Sequence, residues 1–182
     1  MNRIIALVSF LFLVSCHSEP VSIYSSIDAR DHEKILNGPM NSKRAALELI
    51  YEKEEIDKDW FNSLVDNLVH KEKAWRSVYF KALSYYCNNM SKEEEGILQT
   101  ALFDFFIYHP KEYMQLVRLM DIDKSDCYLQ LFSSSVKNYI ETGEITVVSM
   151  KNVAYKYCYD CTDQDITMVY SYLELAAIYQ LD

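Results

Sequence analysis

The chain has 182 residues, a formal net charge of −9, half its residues hydrophobic and a quarter charged. One domain of this size buries a real core without disulfides to substitute for it. The acidic balance argues against a basic stripe for nucleic acid or a basic face for anionic lipid. Three glycines leave no phosphate-cradling loop, dinucleotide fingerprint or nucleophile elbow.

The chain opens Met1-Asn2-Arg3, and Ile4 to Val14 is apolar except for Ser9. A charged start followed by a short apolar run marks a secretory signal. The run is too short to span a bilayer, which takes about 20 residues. It ends Leu13-Val14-Ser15-Cys16, a branched apolar residue, a small residue, then Cys. These residues resemble the bacterial lipoprotein signal, and the resemblance covers only the start of the chain. It implies that the Cys16 thiol is diacylated, that the bond between Ser15 and Cys16 is cut, and that the new amine is acylated. Residues 1–15 are then the signal peptide. The lipid on Cys16 is the one non-protein group expected, with no metal and no other cofactor. Loss of Arg3 with the signal takes the formal charge from −9 to −10.

Two or more acyl chains hold a protein firmly on a membrane, and no later segment is apolar enough to span one. The residue after Cys16 is His17. In Gram-negative lipoproteins an Asp there is linked with inner-membrane retention, so the resemblance leans toward the periplasmic face of the outer membrane. Residues 16–40 hold Pro20, Gly38 and Pro39 without a sustained period and are read as a lipidated N-terminus and tether. The alternative is an ordered arm in which Ile23, Tyr24 and Ile27 pack onto the domain.

From Asn41 the apolar spacing becomes helical, so residues 41–182 form the domain. Ala45, Leu47, Ile50 and Tyr51 begin weakly. Trp60, Leu64 and Leu68 then run beside Phe61, Val65 and Val69. Trp75, Val78, Tyr79, Ala82, Leu83 and Tyr86 follow. Ile97, Ala101 and Phe105 run beside Leu98, Leu102 and Phe106. Later stripes start at Tyr113, Tyr128 and Ile166. Each stripe buries one helix face.

Local punctuation agrees. Ser91 with Glu94 and Thr162 with Asp165 have capping spacing. Pro110 suits the first turn of a helix, Asp123 precedes the next, and Gly143 is placed to end it. The β-branched run Ile145-Thr146-Val147-Val148 reads as a loop to Ser149, with a short helix from about Met150 to Cys158. A small hairpin there is the alternative. The fold class is therefore all-α, about eight helices paired as antiparallel hairpins. Helix starts near residues 42, 72, 110 and 150 approach the period of helical solenoids, so a short array and a compact bundle both fit.

Four cysteines follow Cys16: Cys87, Cys127, Cys158 and Cys161. Export to an oxidising compartment favours disulfides. The Cys158-Tyr159-Asp160-Cys161 spacing suits a structural bridge, free thiols or bridges elsewhere, or a redox pair. The last lacks its βαβ context, and zinc lacks a second ligand pair. If Cys158 and Cys161 pair, Cys87 and Cys127 are left to each other. The histidines His17, His32, His70 and His109 never stand at i, i+4, and each is expected at a surface or cap. The acidic run Glu52, Glu54, Glu55, Asp57 and Asp59 reads as a solvated helix end. No catalytic residue is assigned.

The chain has fifteen tyrosines. Tyr85 and Tyr86, with Tyr155, Tyr157 and Tyr159, form a candidate interface, because tyrosine suits a boundary dry on one side and wet on the other. These features lead to a non-catalytic envelope lipoprotein that binds another protein, one with a basic surface matching its own charge. An immunity or inhibitor protein and an envelope assembly factor are two versions, by analogy alone. The alternative is a periplasmic enzyme, thiol–disulfide or hydrolytic. Composition leaves the oligomeric state open.

Overall fold

The computed structural model describes residues 29–51, 56–70, 73–120, 122–143 and 145–179. These residues form nine α-helices: α1 (Ala29–Leu36), α2 (Ser42–Tyr51), α3 (Lys58–His70), α4 (Lys73–Tyr86), α5 (Lys92–Tyr108), α6 (Pro110–Arg118), α7 (Ile122–Glu141), α8 (Val147–Tyr157) and α9 (Asp163–Ile178). A 3-10 turn, Cys87–Asn89, follows α4. There is no strand among the described residues, so the small hairpin considered near Val153 does not form.

The helix ends follow their local chemistry. The Asn41 side chain accepts the Arg44 N–H at 3.0 Å and starts α2. Asp57 does the same for α3 through the Asp59 N–H at 3.2 Å, so this part of the acidic run is a helix end. Capping boxes form at Ser91 with Glu94 and at Thr162 with Asp165. Pro110 occupies the first turn of α6. Gly143 takes φ +72°, where a side chain would be strained, and its N–H bonds the Ile140 carbonyl as α7 closes.

Two expected helix starts are corrected, and part of the stretch read as a tether is helical. Ala29–Leu36 is helical although it lies in the stretch read as a tether, and Ile35 and Leu36 pack against the core. Eight residues are too few to display a period, and a helix so short is held by tertiary packing. Ile23, Tyr24 and Ile27 lie outside the described residues, as do Ser15, Cys16 and His17. Helix α8 begins at Val147, before Met150, because the Thr146 hydroxyl accepts the Ser149 N–H at 3.1 Å. That cap outweighs the β-branched pair Val147-Val148, whose reluctance in a helix is a few tenths of a kcal/mol. Asp123 stands within the first turn of α7, since the helix starts at Ile122.

Neighbouring helices pair as hairpins: α3 with α4, α5 with α6, and α8 with α9. Helices two apart also pack, α2 on α4, α3 on α5, α5 on α7 and α7 on α9, as in a stacked array. Contacts of α4 with α7, α5 with α8 and α6 with α9 fold that array into one compact body. Helix α5 is central, burying Leu98, Leu102, Phe103, Phe105, Phe106 and Ile107.

The core is aromatic. The Phe80 ring meets Phe105, Tyr113 and Tyr128 edge-on at 4.7–5.8 Å, and Phe132 packs on Phe106 and Tyr172 at 4.8 and 5.1 Å. Such pairs add about 1 kcal/mol each beyond area burial. Arg76 on α4 reaches Glu112 on α6 at 2.6 Å and lies over the Phe105 ring. Tyr51, placed on an apolar stripe, and Ile140 are solvent-exposed at helix ends.

Candidate functional site

The four cysteines pair by proximity. Cys87, in the turn after α4, and Cys127, on α7, have Cα atoms 6.4 Å apart, and Cys158 and Cys161 5.2 Å, both within disulfide reach. The first bridge ties two helices across forty positions of sequence. The second closes the turn between α8 and α9.

That turn is built densely. Cys158 ends α8, its N–H on the Tyr155 carbonyl, and the Cys161 N–H reaches the Cys158 carbonyl at 3.3 Å. Thr162 then caps α9. The Asp165 carboxyl accepts from the Thr162 N–H and hydroxyl, both at 2.9 Å. Those bonds, with Lys111 nearby, hold the carboxyl below its ordinary range. Lys111 arrives from α6 and donates to the Asp160 carbonyl at 2.5 Å, clamping the turn from outside α8 and α9.

Tyrosines gather around this turn. Tyr157 meets Tyr108, at the end of α5, edge-on at 4.9 Å, and Tyr159 at 6.5 Å. Tyr159 is 84% exposed, Tyr155 58% and Tyr108 46%. Val148, Asn152 and Tyr155 lie along one outward stripe of α8, and Tyr159 follows just beyond it. Asp160, in the same turn, and Asp163, the first residue of α9, are exposed. The result is an apolar, acid-edged surface on a braced turn. It suits partner contact, since tyrosine supplies large contact area with few rotatable bonds to order.

The other two tyrosines of the candidate interface do not join it. Tyr86 is buried, its ring on Phe61 at 5.9 Å and its hydroxyl donating to Glu94 at 3.4 Å. It is a core residue, because it falls on the inward stripe of α4. Tyr85 is half-buried on α4, with the Lys81 ammonium over its ring. Sequence reasoning missed Tyr108 and Lys111. A signal for Tyr108 existed: Thr100, Asp104 and Tyr108 repeat at i, i+4 on the polar side of α5. Nothing local links Lys111 to Asp160, 49 positions away.

His32 is half-buried on α1 near Trp75, and His109 sits at the α5–α6 corner against Phe105. Helix α3 ends at His70. Among the described residues, no three His, Cys, Asp or Glu side chains converge as metal ligands would. No helix among them is long and apolar enough to cross a membrane.

These features define an all-helical domain with two cysteine pairs at disulfide distance and an exposed tyrosine surface. No protein family's sequence model matches the chain, and comparison with curated proteins and with solved structures gave no match.

Proposed function

We propose that this chain is exported, lipidated on Cys16, and held at the periplasmic face of the outer membrane, where it binds another protein without catalysis of its own. The observation that carries the reading is the braced tyrosine surface of Tyr108, Tyr155, Tyr157 and Tyr159. Exposed aromatic side chains on a pinned turn lose little freedom when covered. The acidic charge suits a basic partner. An immunity or inhibitor protein and an envelope assembly factor both fit this description.

Two experiments test it. Labelled palmitate should enter the wild type and not Cys16→Ser; equal labelling removes the anchor. A photo-crosslinking residue in place of Tyr159 should capture one envelope protein, and Tyr155→Ser with Tyr157→Ser should abolish that product. A product unchanged by those substitutions refutes the surface.

A thiol–disulfide enzyme is the second reading, favoured by one observation. Cys161 is half-buried immediately before the N-cap of α9, and helix N-termini favour thiolate. The measured reduction potential separates the two, since a structural bridge lies below about −300 mV.

A further inference from the structure

Several aromatic rings of this chain carry a cation of its own. Lys43 lies over Trp75, Lys81 over Tyr85 and Lys151 over Tyr170, 5.1–5.8 Å from the ring centres. Arg76 lies over Phe105 at 5.4 Å, and the same guanidinium donates to the Glu112 carboxylate. The surface tyrosines differ. Among the described residues, no Lys or Arg lies over Tyr108, Tyr155, Tyr157 or Tyr159, and their hydroxyls have no protein partner. Two lysines stand close by in the fold or the chain, yet Lys111 is engaged by Asp160 and the exposed Lys156 covers no ring.

Three of these rings form a corner. Tyr157 stands at 76° to Tyr108 and at 74° to Tyr159. Ring faces are electron-rich and attract cations within about 6 Å of the ring centre. A guanidinium suits them better than an ammonium. It is planar and weakly hydrated, and it can lie flat on a ring with its N–H groups still free for a carboxylate. Two residues past Cys161, Asp163 offers an exposed carboxylate with no partner among the described residues. A ring and a carboxylate are what hold Arg76 inside the fold; here the same two groups stand at the surface.

We propose that the corner of Tyr108, Tyr157 and Tyr159 receives an arginine side chain of the partner protein. This rests on the protein-binding reading of the same surface and names the group recognised there. Lys111, donating to the Asp160 carbonyl, and the Cys158–Cys161 pair hold the turn. The rings are therefore set before the side chain arrives, which lowers the cost of ordering them.

The test uses the full chain with isotope-labelled tyrosine rings, in micelles of an uncharged polyether detergent. The probe is a blocked Gly-Arg-Gly peptide. The same peptide with citrulline, a neutral isostere of arginine, is its control. Titration of the arginine peptide should shift the ring resonances that Tyr108→Leu and Tyr159→Leu remove. Tyr159→Leu should weaken binding roughly fivefold, and Tyr159→Phe should keep it, because the ring face acts and not the hydroxyl. Lys156→Ala, an exposed change that removes a like charge, should tighten it about twofold. Equal affinity in Tyr159→Leu with an unchanged Tm overturns the proposal. So does equal binding of the citrulline peptide, or an equal loss in Tyr159→Phe. Tighter binding of phosphocholine than of the arginine peptide also overturns it, because the occupant is then a lipid headgroup. Capture of a partner at Tyr159 with no response to the arginine peptide refutes this inference alone. A response to the peptide, with a captured product unchanged by Tyr155→Ser and Tyr157→Ser, refutes the protein-binding surface, and the occupant proposed here falls with it.

Discussion

The Tyr128 hydroxyl on α7 donates to the backbone carbonyl of Phe80 on α4 at 2.6 Å, while the two rings meet edge-on at 4.7 Å. One residue thus grips both the side chain and the main chain of another helix. Tyr128→Phe should keep the ring contact and lose the hydrogen bond. The expected loss is about 1 kcal/mol, since the Phe80 carbonyl lies inside a helix and keeps its own ladder. Tyr128→Ala should lose about 4 kcal/mol through the cavity. Urea unfolding of both variants checks the ratio.

Tyr113, Tyr128 and Tyr172 are buried together, and burial pushes all three phenols above their ordinary range, Tyr172 to about 12. The unfolded chain ionises these groups near pH 10, while the folded chain keeps them neutral. Stability from keeping them neutral is therefore complete below pH 10 and falls as pH rises from 10 toward 12. Phenolate absorbance should show three of the fifteen tyrosines ionising late, together with loss of helical circular dichroism. Ionisation of all the tyrosines in one step, with the helix signal intact, contradicts the buried cluster.

The two cysteine bridges should differ in weight. Joining Cys87 to Cys127 closes a loop with a sequence separation of 40, against 3 for Cys158 and Cys161. Loop-closure entropy gives roughly 4 kcal/mol for the first and about 2 kcal/mol for the second. Replacing Cys87 and Cys127 by Ser should lower Tm more than replacing Cys158 and Cys161. Peptide mapping without reduction should find these two pairs and no crossed ones.

Gly96→Ala should raise stability by about 1 kcal/mol, because the helical backbone accepts a Cβ and nothing stands within 4 Å of it. Thermal unfolding measures the gain. A lower Tm would mean that a side chain at Gly96 meets a neighbour after all.

Much of the secondary structure was legible locally. Ser91 and Glu94, Thr162 and Asp165, Pro110 and Gly143 each act within a few residues of themselves. Their roles therefore follow from the chain alone, as does the i, i+4 stripe that buries Phe61, Leu64 and Leu68. The all-α class is the sum of such signals. The array-or-bundle choice was not legible, because it depends on which outer faces meet. Contacts of α5 with α8 and α6 with α9 decided it.

The surfaces divide the same way. The sequence by itself determined that fifteen tyrosines exceed what a core needs, that a C-x-x-C sits before a capped helix, and that the exposed chemistry is acidic. Only the tertiary structure decided which tyrosines face water. Tyr86 went inside onto Phe61, while Tyr108 and Tyr157 met from helices 49 positions apart in the chain. Caps and stripes are short-range, fixed by neighbours within one or two turns. Exposure and pairing are long-range, fixed only when the whole apolar surface is shared out among all the helices at once.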